Sequence, residues 1–537
     1  MKSFWKFVLS VVIPALIIGF IAGIYFSNSG ILGRRFFVNT DNKIGAILNI
    51  VDRQYVDTIN MKDLVEDAIP NIIYELDPHS AYIPAQDLQS VNEDLEGHFS
   101  GIGIQFNRQN DTITVISVIS GGPSEKAGIQ SGDRIVTIDD SLYVGLGFSD
   151  EKIVKTLRGP KGTKVKVGIK RSGAERLQVY EITRGDVPVN TVDAAYEADS
   201  GIGLIKINKF GKTTYPEFLS AVGILTGAGC RSFILDLRQN PGGLLESAIE
   251  VSNEFLPGNR LIVYAEGRMF ARNETYSNGT GICQSQPLVV LVDEMSASAA
   301  EIVAGAIQDN DRGTIIGRRS FGKGLVQNQV QLSDSSALRL TIARYYTPSG
   351  RCIQKEYKMG DRAEYDRDLI NRFKHGEFDS KDSIKNSANM FKTRLGRPVY
   401  DGGGITPDIF IPRDTLGVTS YYSALLQNGI IYDYAFLYTD RYRATLSKFD
   451  NYNKLWNYLK TQPLLDGVVN HATGKGIRPR PLLIVKSAPL IEKLTQAAIV
   501  RNIFGDKGFY PVFLDKDPSI TTAIEIIKAG NAFPKGE

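Results

Sequence analysis

The chain has 537 residues, 42% of them hydrophobic and 23% charged, with a formal net charge of +3, the balance of an ordinary folded protein of about three to four domains. So small a net charge gives no electrostatic reason to expect a nucleic-acid partner. Three cysteines, four scattered histidines and no Cys-x-x-Cys pair do not indicate structural zinc or a disulfide framework. No metal or cofactor is expected.

Behind Lys2 and Lys6, residues 7–26 read FVLSVVIPALIIGFIAGIYF without a charge. A run of that length spans the roughly 30 Å hydrocarbon core of a bilayer as a helix. It exceeds the apolar core of a cleaved signal, about 7–15 residues, and no small-residue cleavage site follows. The expectation is a single transmembrane helix within residues 1–27, with a cleaved signal as the alternative. Long folded domains translocate largely regardless of flanking charge, so the rest of the chain is expected on the periplasmic or extracytoplasmic side.

Residues 28–96 read mostly as helix: Ile44, Ile47, Leu48 and Val51 fall at i, i+3, i+4 and i+7. The stretch LDPHSAYIPAQDL supplies a turn and a helix start. His79 within it has no partner nearby in sequence and is read as structural. From 97 to 172 the pattern changes. SGIGIQF and TITVISVIS read as strands, GGPSEKAGIQSGDRIVTIDD as a turn, a helical turn and a strand, and GTKVKVGIKR as an alternating strand. SDEKIVKTLRG opens with a Ser–Asp cap and sets Ile153, Val154 and Leu157 on one helical face.

Together these stretches resemble a PDZ domain of the bacterial protease type. The resemblance implies capture of a peptide C-terminus by strand addition, its carboxylate meeting backbone N–H groups. Gly101, Ile102, Gly103 and Ile104 supply that loop and edge, the glycines allowing close approach.

Residues 173–419 alternate apolar strands with helices, the pattern of an α/β core with mostly parallel pairing. Lys355 to Tyr400 interrupts it with 19 charged residues in 46, too polar for a core, and is read as a surface insertion. Residues 420–537 read as mainly helical and contain no catalytic cluster.

Two sites in this core carry chemistry. GRRSFGKGLVQ, Gly317 to Gln327, nearly spells a phosphate-binding loop. Gly324 stands where the Mg²⁺-binding hydroxyl belongs, and LVQNQVQL continues as a strand rather than as the helix whose amides hold phosphate. The second site, LVVLVDEMSASAAEIVAGAIQD, runs an apolar strand into a helix beginning near Ser298. A serine there is a cap or a nucleophile served by the unpaired amides and positive end of the first turn. The turn NPGG, with Gly242 and Gly243, offers a further donor. None of His79, His98, His375 or His471 lies in this core, which leaves lysine as the base. Free lysine titrates near 10.4, and desolvation lowers that by several units. Lys323 lies among glycine and apolar residues, with no acidic residue between Asp311 and Asp334.

SASAAEI around Ser298 and FGKGLVQ around Lys323 resemble the C-terminal processing (tail-specific) serine peptidases. LDPHSAYIP, the PDZ segment, ILDLRQNPGG, YYTPSGRCIQ and GGGITPDI fit the same family in the same order. The resemblance implies a crotonase/ClpP-like α/β protease core with an inserted PDZ domain. It implies Ser298, rather than Ser296, as nucleophile, Lys323 as general base and Gln327 as the group orienting the lysine; the candidate oxyanion donors are Ala299 at the helix start and Gly242 and Gly243 in the turn. Two departures stand out: the family usually carries serine where Ala300 stands, and four extended residues from Lys323 to Gln327 span about 13 Å, so a kink at Gly322 or Gly324 is expected. The implied partners are proteins or peptides with exposed, apolar C-terminal tails, with Arg158 a candidate for coupling the two domains; homo-oligomerisation is left open. The competing readings are a non-catalytic PDZ scaffold and an acyl-CoA enzyme of the crotonase type.

Overall fold

The computed structural model describes residues 42–536 apart from 110, 172–173 and 385–388. The apolar run at 7–26 lies outside the described residues. Among those described, no helix is long and apolar enough to cross a membrane. Residues 42–71 form one unit and the remainder a second. In the first, α1 (Lys43–Gln54) starts at Asn42, whose side chain accepts from the Gly45 N–H, and the greater part of α2 (Met61–Tyr74) follows.

The second unit opens with β1 (Ala81–Ile83), α3 (Ala85–Glu96) and β2 (His98–Gly101). There follow β3 (Ile104–Gln109), β4 (Thr112–Val118), α4 (Pro123–Ala127), β5 (Arg134–Ile138), β6 (Ser141–Leu142), α5 (Asp150–Leu157), β7 (Lys164–Lys170) and β8 (Gln178–Thr183). These strands make one antiparallel sheet in the order β3-β4-β5-β7-β8, with β6 on β5. Ser149 caps α5 by accepting from the Lys152 N–H, and Ile153 and Leu157 are buried. Val154, expected on the same face, is exposed. β9 (Gly185–Pro188) pairs with β2.

A six-stranded sheet forms the next layer. β10 (Val192–Asp199) runs antiparallel to β11 (Ile202–Ile207). β12 (Ser232–Asp236), β15 (Leu288–Val292), β16 (Thr314–Gly317) and β21 (Ile409–Phe410) then pair in parallel succession with β11. Alternate residues of each strand enter different clusters. Leu288, Val290 and Val292 pack with α6 (Thr214–Gly227), α7 (Leu245–Phe255) and α8 (Ala299–Asp309), while Val289 and Leu291 meet Ile520, Ala523 and Ile527 of the last helix. A strand buried on both faces has no polar positions to alternate, which is why LVVLV is uninterrupted. Each such side chain contributes about 1.5–3 kcal/mol by leaving water.

The far face of this sheet is thus covered by the chain's C-terminal end. Residues 420–528 are helical as expected: α10 (Ser420–Gln427), α11 (Ile430–Leu446), α12 (Tyr452–Leu459), α13 (Leu464–Gly474), α14 (Pro481–Phe504), α15 (Asp506–Phe513) and α16 (Pro518–Lys528). A second sheet, β1-β18-β13-β14 with β17 on β18, combines β13 (Leu261–Glu266), β14 (Asn273–Tyr276), β17 (Leu325–Gln331) and β18 (Ala337–Tyr346).

The charged segment, expected as a surface insertion, is mostly exposed among its described residues but folds onto the core at several points. It contains α9 (Arg362–Lys374) and the hairpin β19 (Met390–Lys392) to β20 (Pro398–Tyr400). Lys355, Tyr365, Arg372, Glu377 and Phe378 within it are buried. Charge is buried here because it is paired: Arg372 and Arg319 share Glu377, and Arg397 bridges Asp311 and Asp408.

Candidate active site

β15 ends in Val292, and a tight turn carries the chain to α8. Ser296 in that turn is fully buried and its hydroxyl donates to the Leu237 carbonyl, 2.8 Å away. Ser298 stands at the N-cap of α8 with φ 53° and ψ −114°. A non-glycine residue in that region is strained and persists only where its surroundings hold it. Both sequence readings of Ser298 therefore meet at one position, the mouth of a helix. Ser296, committed to a carbonyl, is the less suited of the two serines.

The NPGG turn packs directly on this serine. A Cβ on Gly242 would lie 2.6 Å from Ser298 Cβ, and one on Gly243 would lie 1.9 Å from the Phe210 oxygen. Both positions also have positive φ, 99° and 138°, so glycine is required on two counts. Asn240, fully buried, governs the turn. Its Nδ2 donates to the Ile207 carbonyl, its Oδ1 accepts from the Gly242 N–H, and its carbonyl accepts from the Ala297 N–H.

The expectation for Gly242 is thereby corrected: its N–H is taken by Asn240 and does not face an oxyanion. Among the described residues, the N–H groups of Gly243 and Ala299 have no hydrogen-bond partner. One is in a glycine turn and the other in the first turn of α8, so the pair can receive developing negative charge.

Glu301 ties the serine to the lysine loop. Its side chain is fully buried. Oε2 accepts from the Ser298 N–H and from the Lys323 N–H, each at 2.8 Å. Oε1 accepts from the Gly322 N–H at 2.8 Å and from the Ser320 hydroxyl. Two nitrogens bonded to one oxygen are no farther apart than twice that distance, so the Ser298 and Lys323 backbones are neighbours. Burial pushes the Glu301 carboxyl up, and the Ser320 hydroxyl and the three N–H groups offset this. Sequence reasoning passed over Glu301 as helix filler. Its signal was an acidic residue in an otherwise apolar helix, three places after the cap.

Lys323 follows Gly322, whose φ is +88° and whose Cβ would lie 3.1 Å from both Gly404 N and Lys355 Cβ. Burial lowers the Lys323 pKa, the Arg339 charge lowers it further, and Glu301 and Asp77 act in the opposite sense. The Gln327 side-chain amide, expected to orient Lys323, donates instead to the His79 carbonyl. The irregularity in the β17–β18 ladder falls between Val326 and Gln327, beyond the positive-φ turn at Gly322.

His79 is brought to this region by a turn the sequence left as mere connection. Asp77, buried, accepts from the His79 N–H, the Ser80 N–H and hydroxyl, and the Thr341 hydroxyl. His79 Nε2 lies 2.7 Å from the Tyr365 hydroxyl. Burial and the charge of Lys323 lower the imidazole to about 4, against an opposing pull from Asp77, so it is neutral at physiological pH. Its sequence distance of 286 residues from Tyr365 hid this contact.

In the sheet of residues 104–183, β3 is an edge strand. Ahead of it, Gly103 has φ +78°. The Ile102 carbonyl accepts from the Ser124 N–H and the Gly103 carbonyl from the Ile119 N–H, while the N–H groups of Ile102 and Gly103 have no partner among the described residues. Ile102, Ile153 and Leu157 share a buried cluster against which Ile104 and Phe106 pack. A free strand edge, two free N–H groups and an apolar wall are what an added peptide terminus needs. Arg158 lies 3.8 Å from Glu93 of α3 and stacks 4.4 Å over Phe99.

Comparison with known proteins matches residues 100–179 to the PDZ domain, residues 201–366 to peptidase family S41, and residues 421–505 to a family of unknown function (DUF8443). The carboxy-terminal-processing protease of Bartonella bacilliformis is 36% identical over 352 residues, 63% of this chain and 80% of that protein. The carboxy-terminal processing protease CtpA of Bacillus subtilis is 34% identical over 368 residues, 66% of this chain and 75% of that protein. The carboxyl-terminal-processing protease of Synechocystis is 36% identical over 302 residues, 55% of this chain and 69% of that protein.

Proposed function

Because the chain belongs to the carboxy-terminal-processing serine peptidases of family S41 and carries a PDZ domain, we propose that it is a membrane-anchored, extracytoplasmic endopeptidase in which Ser298 and Lys323 form the catalytic dyad. The PDZ domain captures protein C-terminal tails at Ile102, Gly103 and the β3 edge. The observation that carries the reading is the single Glu301 oxygen shared by the Ser298 and Lys323 backbones.

In the first step neutral Lys323 takes the hydroxyl proton as Ser298 Oγ bonds to the scissile carbonyl carbon. The carbonyl oxygen becomes an oxyanion beside the free N–H groups of Ala299 and Gly243. Collapse breaks the C–N bond, and the Lys323 ammonium returns the proton to the leaving amine. Water then attacks the acyl ester, giving its proton to the again-neutral Lys323, and the Lys323 ammonium hands that proton to Ser298 Oγ as the ester C–O bond breaks and the acid product leaves. A lysine suits both directions because a lowered pKa makes more of the amine available to accept a proton and makes its ammonium a better donor. Burial and the Arg339 charge supply that lowering. Gln327 acts on this centre at one remove, by holding the His79 carbonyl.

Anchoring rests on the uncharged run at 7–26, and the extracytoplasmic location on its position ahead of the folded units. The 1–27, 28–96, 97–172, 173–419 and 420–537 partition is proposed with it, α16 of the last part covering the core sheet. The test is proteolysis by the full chain in mild detergent, on one unstable protein bearing either an apolar or a charged C-terminal tail. Wild type is expected to cut the apolar-tailed form faster, and Ser298→Ala and Lys323→Ala to cut neither. Tail binding without cleavage by wild type would favour a peptide-binding scaffold instead.

A further inference from the structure

The charged segment touches the lysine loop at two points. Arg372 of α9 is 5% exposed and lies beyond the residues matched to the peptidase family. Its Nη1 donates to the Ser320 carbonyl at 3.0 Å, its Nη2 to the Arg319 carbonyl at 2.7 Å, and its Nε to Glu377 at 2.8 Å. A guanidinium fork spent on two successive carbonyls dictates the path of that backbone in a way a single ammonium cannot. Ser320 passes the constraint on, since its hydroxyl donates to the Glu301 carboxylate that also receives Lys323.

The second point is Tyr365, 5% exposed. Its hydroxyl meets His79 Nε2, and the two rings cross edge to face with centroids 5.2 Å apart. Lys355 Nζ sits between the rings of Tyr365 and Phe321, 3.9 and 4.1 Å from their centroids. Its backbone N–H donates to the Gly322 carbonyl. Phe321, Lys355 and Tyr365 thus wall one side of the loop carrying Lys323.

Resting on the assignment of Lys323 as base, we propose that the charged segment is a working part of this active site, with Arg372 and Tyr365 as positioning residues for the Lys323 loop and the His79 imidazole beside it. The groups facing the lysine amine are Arg339 from β18, Glu301 from α8, and Asp77 and His79 from the turn before β1. Loosening the wall admits water to the amine, which then keeps its proton to higher pH.

The experiment measures kcat and KM against pH for the full chain in detergent on the apolar-tailed substrate. The variants are Tyr365→Phe, Arg372→Lys and Arg372→Ala, with Lys381→Ala as an exposed change in the same segment. Tyr365→Phe and Arg372→Ala are expected to lower kcat about tenfold or more with KM within about threefold. The acid limb of kcat moves to higher pH, Arg372→Lys recovers part of the loss, and Lys381→Ala behaves as wild type. Should Arg372→Ala fail to fold, Tyr365→Phe, which lacks one hydroxyl, decides the matter. Wild-type kcat and an unmoved acid limb in folded Tyr365→Phe and Arg372→Lys overturn the proposal. Activity surviving in Lys323→Ala overturns the base assignment instead.

Discussion

Ser298 and Lys323 donate their backbone N–H groups to the same oxygen, Oε2 of Glu301, each over 2.8 Å. The Ser298 helix and the Lys323 loop are therefore held by one buried acceptor, and the separation of the two backbones cannot drift without breaking one of those bonds.

Glu301→Gln tests that acceptor. A side-chain amide turns an NH₂ toward N–H donors, leaving at least one of them buried without a partner, at about 1–3 kcal/mol. The expected result is a lower melting temperature and a loss of kcat of about 10²-fold or more, with KM little changed. Steady-state kinetics and calorimetry on one preparation check it; wild-type kcat in a folded variant would contradict it.

The pH dependence follows from Lys323, held below its ordinary 10.5 by burial and by Arg339, with Glu301 and Asp77 opposing. Only the neutral amine accepts a proton, so kcat rises with pH through the lowered value and levels off beyond it. Between that value and 10.5 the unfolded chain binds more protons at this position than the folded one. Its contribution to stability is therefore complete above 10.5 and is lost as pH falls to the lowered value. At neutral pH the wild-type amine is a penalty. Lys323→Met is expected to melt above wild type at pH 7 by about a degree or more while turning over no substrate. A lower melting temperature for Lys323→Met would refute the sign.

Gly243→Ala places a Cβ 1.9 Å from the Phe210 oxygen, at a φ of +138°. Backbone must move, and the Gly243 N–H with it. Loss of one oxyanion donor lowers kcat by about 10²–10³-fold. An active-site titration with an acylating inhibitor distinguishes this from misfolding: the variant should fold and acylate slowly. Acylation at the wild-type rate would remove Gly243 from the oxyanion site.

Tail capture is checked in Ser298→Ala, which leaves the strand edge untouched. A peptide with a free C-terminal carboxylate should bind about tenfold or more tighter than its amidated twin, since the free N–H groups of Ile102 and Gly103 bond best to a charged acceptor. Fluorescence anisotropy reads the two affinities; equal values would place capture elsewhere.

Much of this protein was legible along the chain. The uninterrupted LVVLV run announced an apolar strand of the core. The Ser–Asp cap and the spacing of Ile153 and Leu157 announced α5, and the NPGG turn announced a close approach of backbone to Ser298. These features are local: a strand or helix period records which side of its own segment meets the core, and a glycine records a backbone conformation or a contact too near for Cβ. Only the tertiary structure decided that Glu301 is the common acceptor, that Asn240 takes the Gly242 N–H, that Gln327 holds the His79 carbonyl and not Lys323, and that Arg372 and Tyr365 of a highly charged segment are buried against the lysine loop. No period encodes such partners, because each buried charge or polar group is tolerated only by a counterpart far away in sequence. The chain states what must be buried; packing settles which partner makes the burial tolerable.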